Sequence, residues 1–159
     1  MIGHLQSNKA ARVVRLFDVV ESVDSIELAA RLGGLAQGAL DGRPLPVYLQ
    51  VNVDRDPAKA GFSPDVLETA LPDLLELGGL EIRGLMTVGR AVENPQDART
   101  TFRSLRDLSD RLRQVESRLG AGLSMGMSDD FEVAVEEGAT VVRVGRAIFG
   151  DRASGRPQG

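Results

Sequence analysis

The sequence of 159 residues contains no cysteine and no tryptophan, and it has a single histidine, His4. Without cysteine the chain cannot form a disulfide, a thiolate metal site or a cysteine nucleophile. One histidine disfavours a histidine-based zinc site and a Ser-His-Asp triad, although His4 alone could still act in a triad. No apolar run approaches the length of a membrane span, and the first residues lack the regions of a signal peptide. We therefore expect a cytoplasmic protein.

The charge balance is mildly acidic, with 23 Asp and Glu against 19 Lys and Arg. Neither a nucleic-acid surface nor an anionic membrane surface is the expected partner of such a chain. Hydrophobic residues make up 42% and charged residues 26%, which is ordinary for one globular domain of this length. We predict a single domain over residues 1–150 and a flexible Gly/Pro/Arg-rich tail over residues 151–159.

Short apolar segments alternate with amphipathic ones along the chain, which predicts a parallel sheet covered by helices. The helices are expected at about residues 8–17, 25–40, 95–119 and 129–137, with another that opens at 63–65 and a helical turn at 146–149. The six predicted strands are Met1–Leu5, Val19–Val23, Pro46–Val53, Leu80–Val88, Gly122–Met125 and Thr140–Val144.

Two closures of such a sheet are possible, an open doubly wound sheet or a (β/α)₈ barrel. No glycine-rich dinucleotide-binding motif follows any predicted strand, so no motif supports the prediction of a doubly wound sheet. A barrel needs two strands more than the six predicted here. If that pair precedes the chain, the strands that end at Met125 and Val144 become the seventh and eighth.

The loops after these two strands have the residues of a phosphate site, which barrels of this type frequently place there. The first loop contains Gly126 and Ser128 and leads into a helix start. The second contains Arg143, Gly145 and Arg146 and leads into the helical turn. Glycine permits close backbone approach, free N–H groups attract anions, and guanidinium groups bind phosphate bidentately.

Each of these features also has a simpler interpretation. Ser128 could be only a helix cap, Arg143 an edge or surface residue, and Gly145 a strand end. Asp129 and Asp130 would repel a phosphate unless they act as caps or pair with an arginine. The two loops together, in the order that a barrel requires, favour phosphate binding.

Four sequence blocks, in order, make the chain resemble the pyridoxal phosphate homeostasis family, which is related to the N-terminal barrel of alanine racemase. The resemblance extends from residue 2 to residue 150. It implies an α/β fold, a TIM-type (β/α)₈ barrel of the alanine racemase N-terminal type, present here as about six βα units that lack the first two. The blocks are Ile2–Lys9, Arg83–Met86, Leu123–Asp130 and Val142–Gly150.

The resemblance implies pyridoxal 5'-phosphate (PLP) as the cofactor and assigns residues to it. Ser128 and the backbone around it, including Met127, match the family's phosphate-binding serine loop. Arg143 and Gly145 match the arginine and glycine that hold the same phosphate, whereas Arg146 stands where relatives vary and could contact phosphate or solvent.

Three further residues are placed at the cofactor by the resemblance. Met86 is expected to line the cofactor ring, and Asn52 and His4 are expected to face the same mouth of the barrel. Met86 could equally be a core methionine, and His4 a structural histidine.

The lysine that forms the family's Schiff base with the cofactor has no counterpart in this chain. The two lysines, Lys9 and Lys59, match other positions, so we predict no catalytic residue. Relative to the family the first two strand-helix units are absent, which indicates either a start assigned too late or a fragment. For the isolated chain we expect aggregation or a loosened state, because an open barrel leaves two strand edges unpaired.

The function implied is PLP binding and vitamin B6 homeostasis without an established reaction, by a protein that is a monomer at full family length. One alternative is a PLP-dependent enzyme such as an amino-acid racemase. Such an enzyme needs a second acid or base, and the only tyrosine is Tyr48. The other alternative is a barrel that binds a different phosphorylated metabolite.

Overall fold

The computed structural model describes residues 1–150 and contains a parallel sheet with the strand order β1-β2-β3-β4-β5. This sequential order is that of a barrel, since a doubly wound sheet reverses its strand order at a switch point. Because all strands are parallel, their carboxyl ends form one rim. The strands are β1 (Val20–Val23), β2 (Leu45–Gln50), β3 (Leu80–Met86), β4 (Gly122–Met127) and β5 (Val141–Arg143).

Helices alternate with the strands along the chain, and two of them begin at a serine cap. Ser25 accepts a hydrogen bond from Leu28 N (3.3 Å), and Ser63 caps a helix that has proline at its first position. The helices are α1 (Ala10–Leu16), α2 (Ile26–Ala39), α3 (Pro64–Leu75), α4 (Arg99–Val115), α5 (Phe131–Glu136) and α6 (Arg146–Phe149). Short 3₁₀ turns precede two of them, at Ser7–Lys9 and Pro95–Ala98.

The sheet curls as a barrel does, and side chains that meet across it show this. Glu21 on β1 accepts a hydrogen bond from Ser124 on β4, although two strands separate β1 from β4. In a flat sheet that spacing would be about 14 Å, three times the distance between neighbouring strands. Arg143 on β5 likewise donates to the carbonyl of Thr87, just after β3 (2.7 Å). The predicted barrel class is therefore confirmed, as a partial barrel.

The prediction of a strand at Met1–Leu5 is wrong. This segment lies beside β1, where the Met1 carbonyl accepts from Glu21 N (2.8 Å). The next carbonyl that could extend a ladder, that of Gly3, accepts instead from the Ser22 hydroxyl (2.7 Å). A side chain thus replaces the backbone donor, and the described sheet has five strands where six were predicted.

The hydrophobic core lies between the sheet and the helices. The predicted helix at 95–119 becomes a 3₁₀ turn followed by α4, which ends at Val115, and α4 buries Phe102, Leu105 and Leu108 along one face. Within residues 1–150 no helix is long and apolar enough to cross a membrane. The tail predicted at 151–159 lies outside the described residues.

Candidate functional site

A cleft of about 810 Å³ opens at the rim formed by the carboxyl ends of the strands. One wall is the loop after β3, and the other is built by the loops after β4 and β5. The lining residues are Val88, Gly89, Arg90, Ala91, Met127, Ser128, Asp129, Gly145, Arg146, Phe149 and Gly150. The two loops predicted to bind phosphate therefore share one cleft.

Ser128 joins these two loops. Its hydroxyl oxygen accepts hydrogen bonds from Gly145 N (3.3 Å) and Ala147 N (3.2 Å). The residue thus caps the turn of α6, across the site, and not the helix that follows it in sequence. Because both N–H groups donate to the hydroxyl oxygen, the Ser128 O–H is left to donate to an anion's oxygen atom in the cleft.

The fold does not require a glycine at position 145. Its φ is −120°, and an added Cβ would meet nothing within 4 Å. Gly126, in contrast, has φ +93°, and its Cβ would lie 2.5 Å from Ala134 Cβ. The fold therefore explains Gly126 but gives no reason for glycine at position 145, where bare backbone lines the cleft.

The acidic residues of the loop are compensated. Asp129 pairs with Arg146, and an Asp130 carboxylate oxygen accepts from Met127 N (2.6 Å). Asp129 is therefore paired with an arginine, and Asp130 is held by a backbone N–H group. Both contacts reduce the repulsion that these carboxylates would exert on a phosphate in this loop. Arg146 lines the cleft, and the assignment of a phosphate to it stays a prediction.

Arg143 lies on the inner face of the curled sheet. Its side chain is buried, with Nη1 donating to Ser124 Oγ (2.7 Å) and Nη2 to the Thr87 carbonyl (2.7 Å). Burial lowers the pKa of Arg143, and the negative charges of Glu21 and Asp130 oppose that shift. Arg143 is therefore on an edge strand of the described sheet but not at the surface. Its guanidinium is not among the groups that line the cleft, and its contact with a phosphate stays a prediction.

Of the remaining predicted residues, only Met127 lines the cleft, and its side chain is exposed. Met86 is fully buried at the end of β3, as the core alternative predicts. His4 is exposed and faces Asp24, with 3.3 Å between Nδ1 and a carboxylate oxygen. The roles of Met86 and His4 at a cofactor stay predictions.

Asn52 organises the loop after β2. Its amide nitrogen donates to the carbonyls of Asp56 (2.7 Å) and Lys59 (3.3 Å), and its amide oxygen accepts from Asp56 N (3.0 Å). Both ends of the amide group are thereby occupied within the loop. The structure accordingly gives Asn52 a supporting position at the rim.

Sequence reasoning missed the loop after β3, which forms a whole wall of the cleft. Arg90 lies in this wall, and Lys59 Nζ donates to the carbonyls of Val88 (3.0 Å) and Gly89. No motif marks these residues. The only available signal was that the loop follows a strand, at the end where barrels carry their sites.

The family model for the N-terminal domain of alanine racemase matches residues 1–153. The chain belongs to this family. Curated relatives called pyridoxal phosphate homeostasis protein are 40% identical to it, over 151 residues in both Aquifex aeolicus and Synechocystis. The alignments cover 95% of this chain and 65% and 68% of those relatives. The chain thus spans about two thirds of the length of the relatives it matches.

Solved structures agree with the assignment to the alanine racemase N-terminal domain family. PipY of Synechococcus elongatus, solved with PLP bound, is 42% identical with a TM-score of 0.84, over 93% of this chain and 68% of PipY. An alanine racemase from Clostridium difficile is 16% identical with a TM-score of 0.74, over 96% of this chain and 41% of the racemase. The latter similarity concerns the fold alone.

Proposed function

We propose that this chain binds PLP through its phosphate group, as a member of the pyridoxal phosphate homeostasis proteins. The observation that carries the proposal is the junction at Ser128, whose hydroxyl links the loop after β4 to the start of α6 beside the bare backbone of Gly145. The PLP-bound structure of a relative that is 42% identical supports the choice of ligand.

The residues of the cleft fit the parts of this cofactor. Ser128 and the backbone at Gly145 would hold the phosphate, with Arg146 beside them. Met127 offers an apolar surface to the ring, and the buried charge of Arg143 lies on the inner side of the sheet below the rim. When bound, PLP supplies an aldehyde that reacts with amines. Since neither lysine matches the family's cofactor lysine, we propose noncovalent binding.

The proposal includes no reaction catalysed by this chain. Tyr48 is buried and lines a separate cavity with Arg83 and Gly120, near the amino ends of β3 and β4. It therefore lies at the opposite end of the sheet from the cleft and cannot act there as an acid or base. We further propose a cytoplasmic protein that is monomeric at full family length.

Replacing Gly145 with alanine is expected to weaken PLP binding about tenfold or more, because a methyl group takes the space of a phosphate oxygen. The measurement is a fluorescence titration with PLP, beside a thermal melt that we expect to be unchanged. Gly38→Ala is the control, since a Cβ there also meets nothing within 4 Å but lies on α2, far from the cleft.

Equal PLP affinity in the Gly145 variant and the wild-type chain would contradict the phosphate site. If a sugar phosphate competes with PLP at equal concentration, the result would favour the alternative that the barrel binds a different phosphorylated metabolite. Borohydride reduction followed by intact mass should leave the chain at 17.0 kDa; a stoichiometric adduct would contradict noncovalent binding.

A further inference from the structure

The loop after β3 brings a positive charge to the cleft wall that faces the Ser128 junction. Arg90 lines the cleft and its side chain is 60% exposed. The other basic residue in the lining, Arg146, is paired with Asp129. Arg90 therefore adds a guanidinium to a cleft whose other charged lining residues, within residues 1–150, compensate each other, and its own acidic neighbour Asp56 is not part of the lining.

The position of Arg90 is set by the loop after β2. Its Nη2 donates to the Asp54 carbonyl over 3.4 Å, and its Nε lies 3.7 Å from an Asp56 carboxylate oxygen. Both contacts are long, and Nη1 has no hydrogen-bond partner among the described residues. A guanidinium has five N–H donors, so most of those of Arg90 stay available to a ligand.

The surrounding contacts hold this wall in place and leave most N–H donors of Arg90 unused. The Asp54 carboxylate accepts from Thr101 on α4 (2.8 Å), and Asn52 fixes the backbone at Asp56. Lys59, in the loop after β2, donates to the backbone carbonyls of Val88 and Gly89 in the loop after β3. The two loops therefore form one connected wall, and Arg90 is the residue in it that presents a cationic group to the cleft.

We infer that Arg90 binds a carboxylate of the ligand whose phosphate lies at the Ser128 junction. The ligand class is an amino-acid adduct of the pyridoxal phosphate, which has a phosphate at one end and a carboxylate at the other. Planar guanidinium groups bind carboxylates bidentately. The inference rests on the proposed PLP site and adds a residue that selects among its ligands.

The test compares pyridoxamine 5'-phosphate with N-(5'-phosphopyridoxyl)-L-alanine, which differ by the carboxylate-bearing group. The wild-type chain should bind the alanine adduct about tenfold more tightly, as one charge-assisted contact provides. Arg90→Gln should abolish this difference and leave the affinity for pyridoxamine 5'-phosphate within about twofold, and Arg90→Lys should restore part of it. Arg83→Gln is the control, since that exposed arginine pairs with Glu81 near the other end of β3.

Equal affinities for the two ligands in the wild-type chain, or an unchanged preference in Arg90→Gln, would overturn the inference and leave PLP binding intact. No binding of either ligand would refute the proposed function itself. 3-Phosphoglycerate carries a phosphate and a carboxylate without a pyridine ring. Binding of this compound as tight as that of the adduct would overturn the assigned ligand class.

Discussion

Replacing Gly84 with alanine is expected to prevent cooperative folding or to destabilise the chain by about 4 kcal/mol or more. Gly84 has φ +150°, and an added Cβ would lie 1.9 Å from the Gly122 carbonyl oxygen. The obstacle is backbone of the paired strand β4 and not the end of a flexible side chain, so relief of the clash requires the two strands to separate. Thermal or urea unfolding followed by circular dichroism measures the effect.

Gly34→Ala is the matched control for this substitution. Gly34 lies in α2, is exposed, and has no atom within 4 Å of an added Cβ. Alanine there should stabilise the helix by about 0.5–1 kcal/mol, because glycine loses more conformational freedom on folding. Similar melting curves for the two variants would show that β3 and β4 do not approach as closely as described.

Glu137→Gln is expected to lower the melting temperature by roughly 5 °C at pH 6, because it removes the carboxylate shared by three partly exposed arginines. The Glu137 side chain is only 4% exposed and accepts from Arg99 (2.6 Å), Arg103 (3.0 Å) and Arg106 (2.8 Å). These contacts join α4 to the end of α5. The amide would leave three guanidinium groups close together without their shared carboxylate.

The pH dependence of this effect has a defined sign. The hydrogen bonds from Arg103 and then Arg99 lower the pKa of Glu137 from 4.5 to about 2. A carboxylate with a lowered pKa stabilises the fold fully above its unfolded value and loses that contribution as pH falls towards the folded value. The difference in melting temperature between wild type and Glu137→Gln should therefore be largest above about pH 4.5 and shrink between there and pH 2.

Glu136→Gln is the control for the cluster. This neighbouring glutamate is 59% exposed and, within residues 1–150, pairs with a single arginine, Arg99, so its loss should lower the melting temperature by less than about 2 °C. A Glu136 effect as large as that of Glu137, or a Glu137 effect independent of pH, would contradict the buried cluster.

Much of the site could be predicted from local sequence. The loop at Ser128 and the turn after Gly145 each combine small residues with a helix start, and they meet at one cleft as a barrel order requires. The wall that contains Arg90 could not be predicted in this way. Its residues carry no motif, and they reach the cleft only through contacts between the loops after β2 and β3.

The sequence by itself determined the alternation of strands and helices, the capped helix starts and the two loops at the rim, since hydrophobic period and turn chemistry are local properties. Only the tertiary structure decided that Met1–Leu5 lies outside the ladder and that Arg143 points to the inner face, towards Ser124 and Thr87. It likewise placed Glu137 among three arginines of α4. Strand alternation assigns a residue to one of two faces, but the curl of the sheet determines which distant residues share that face.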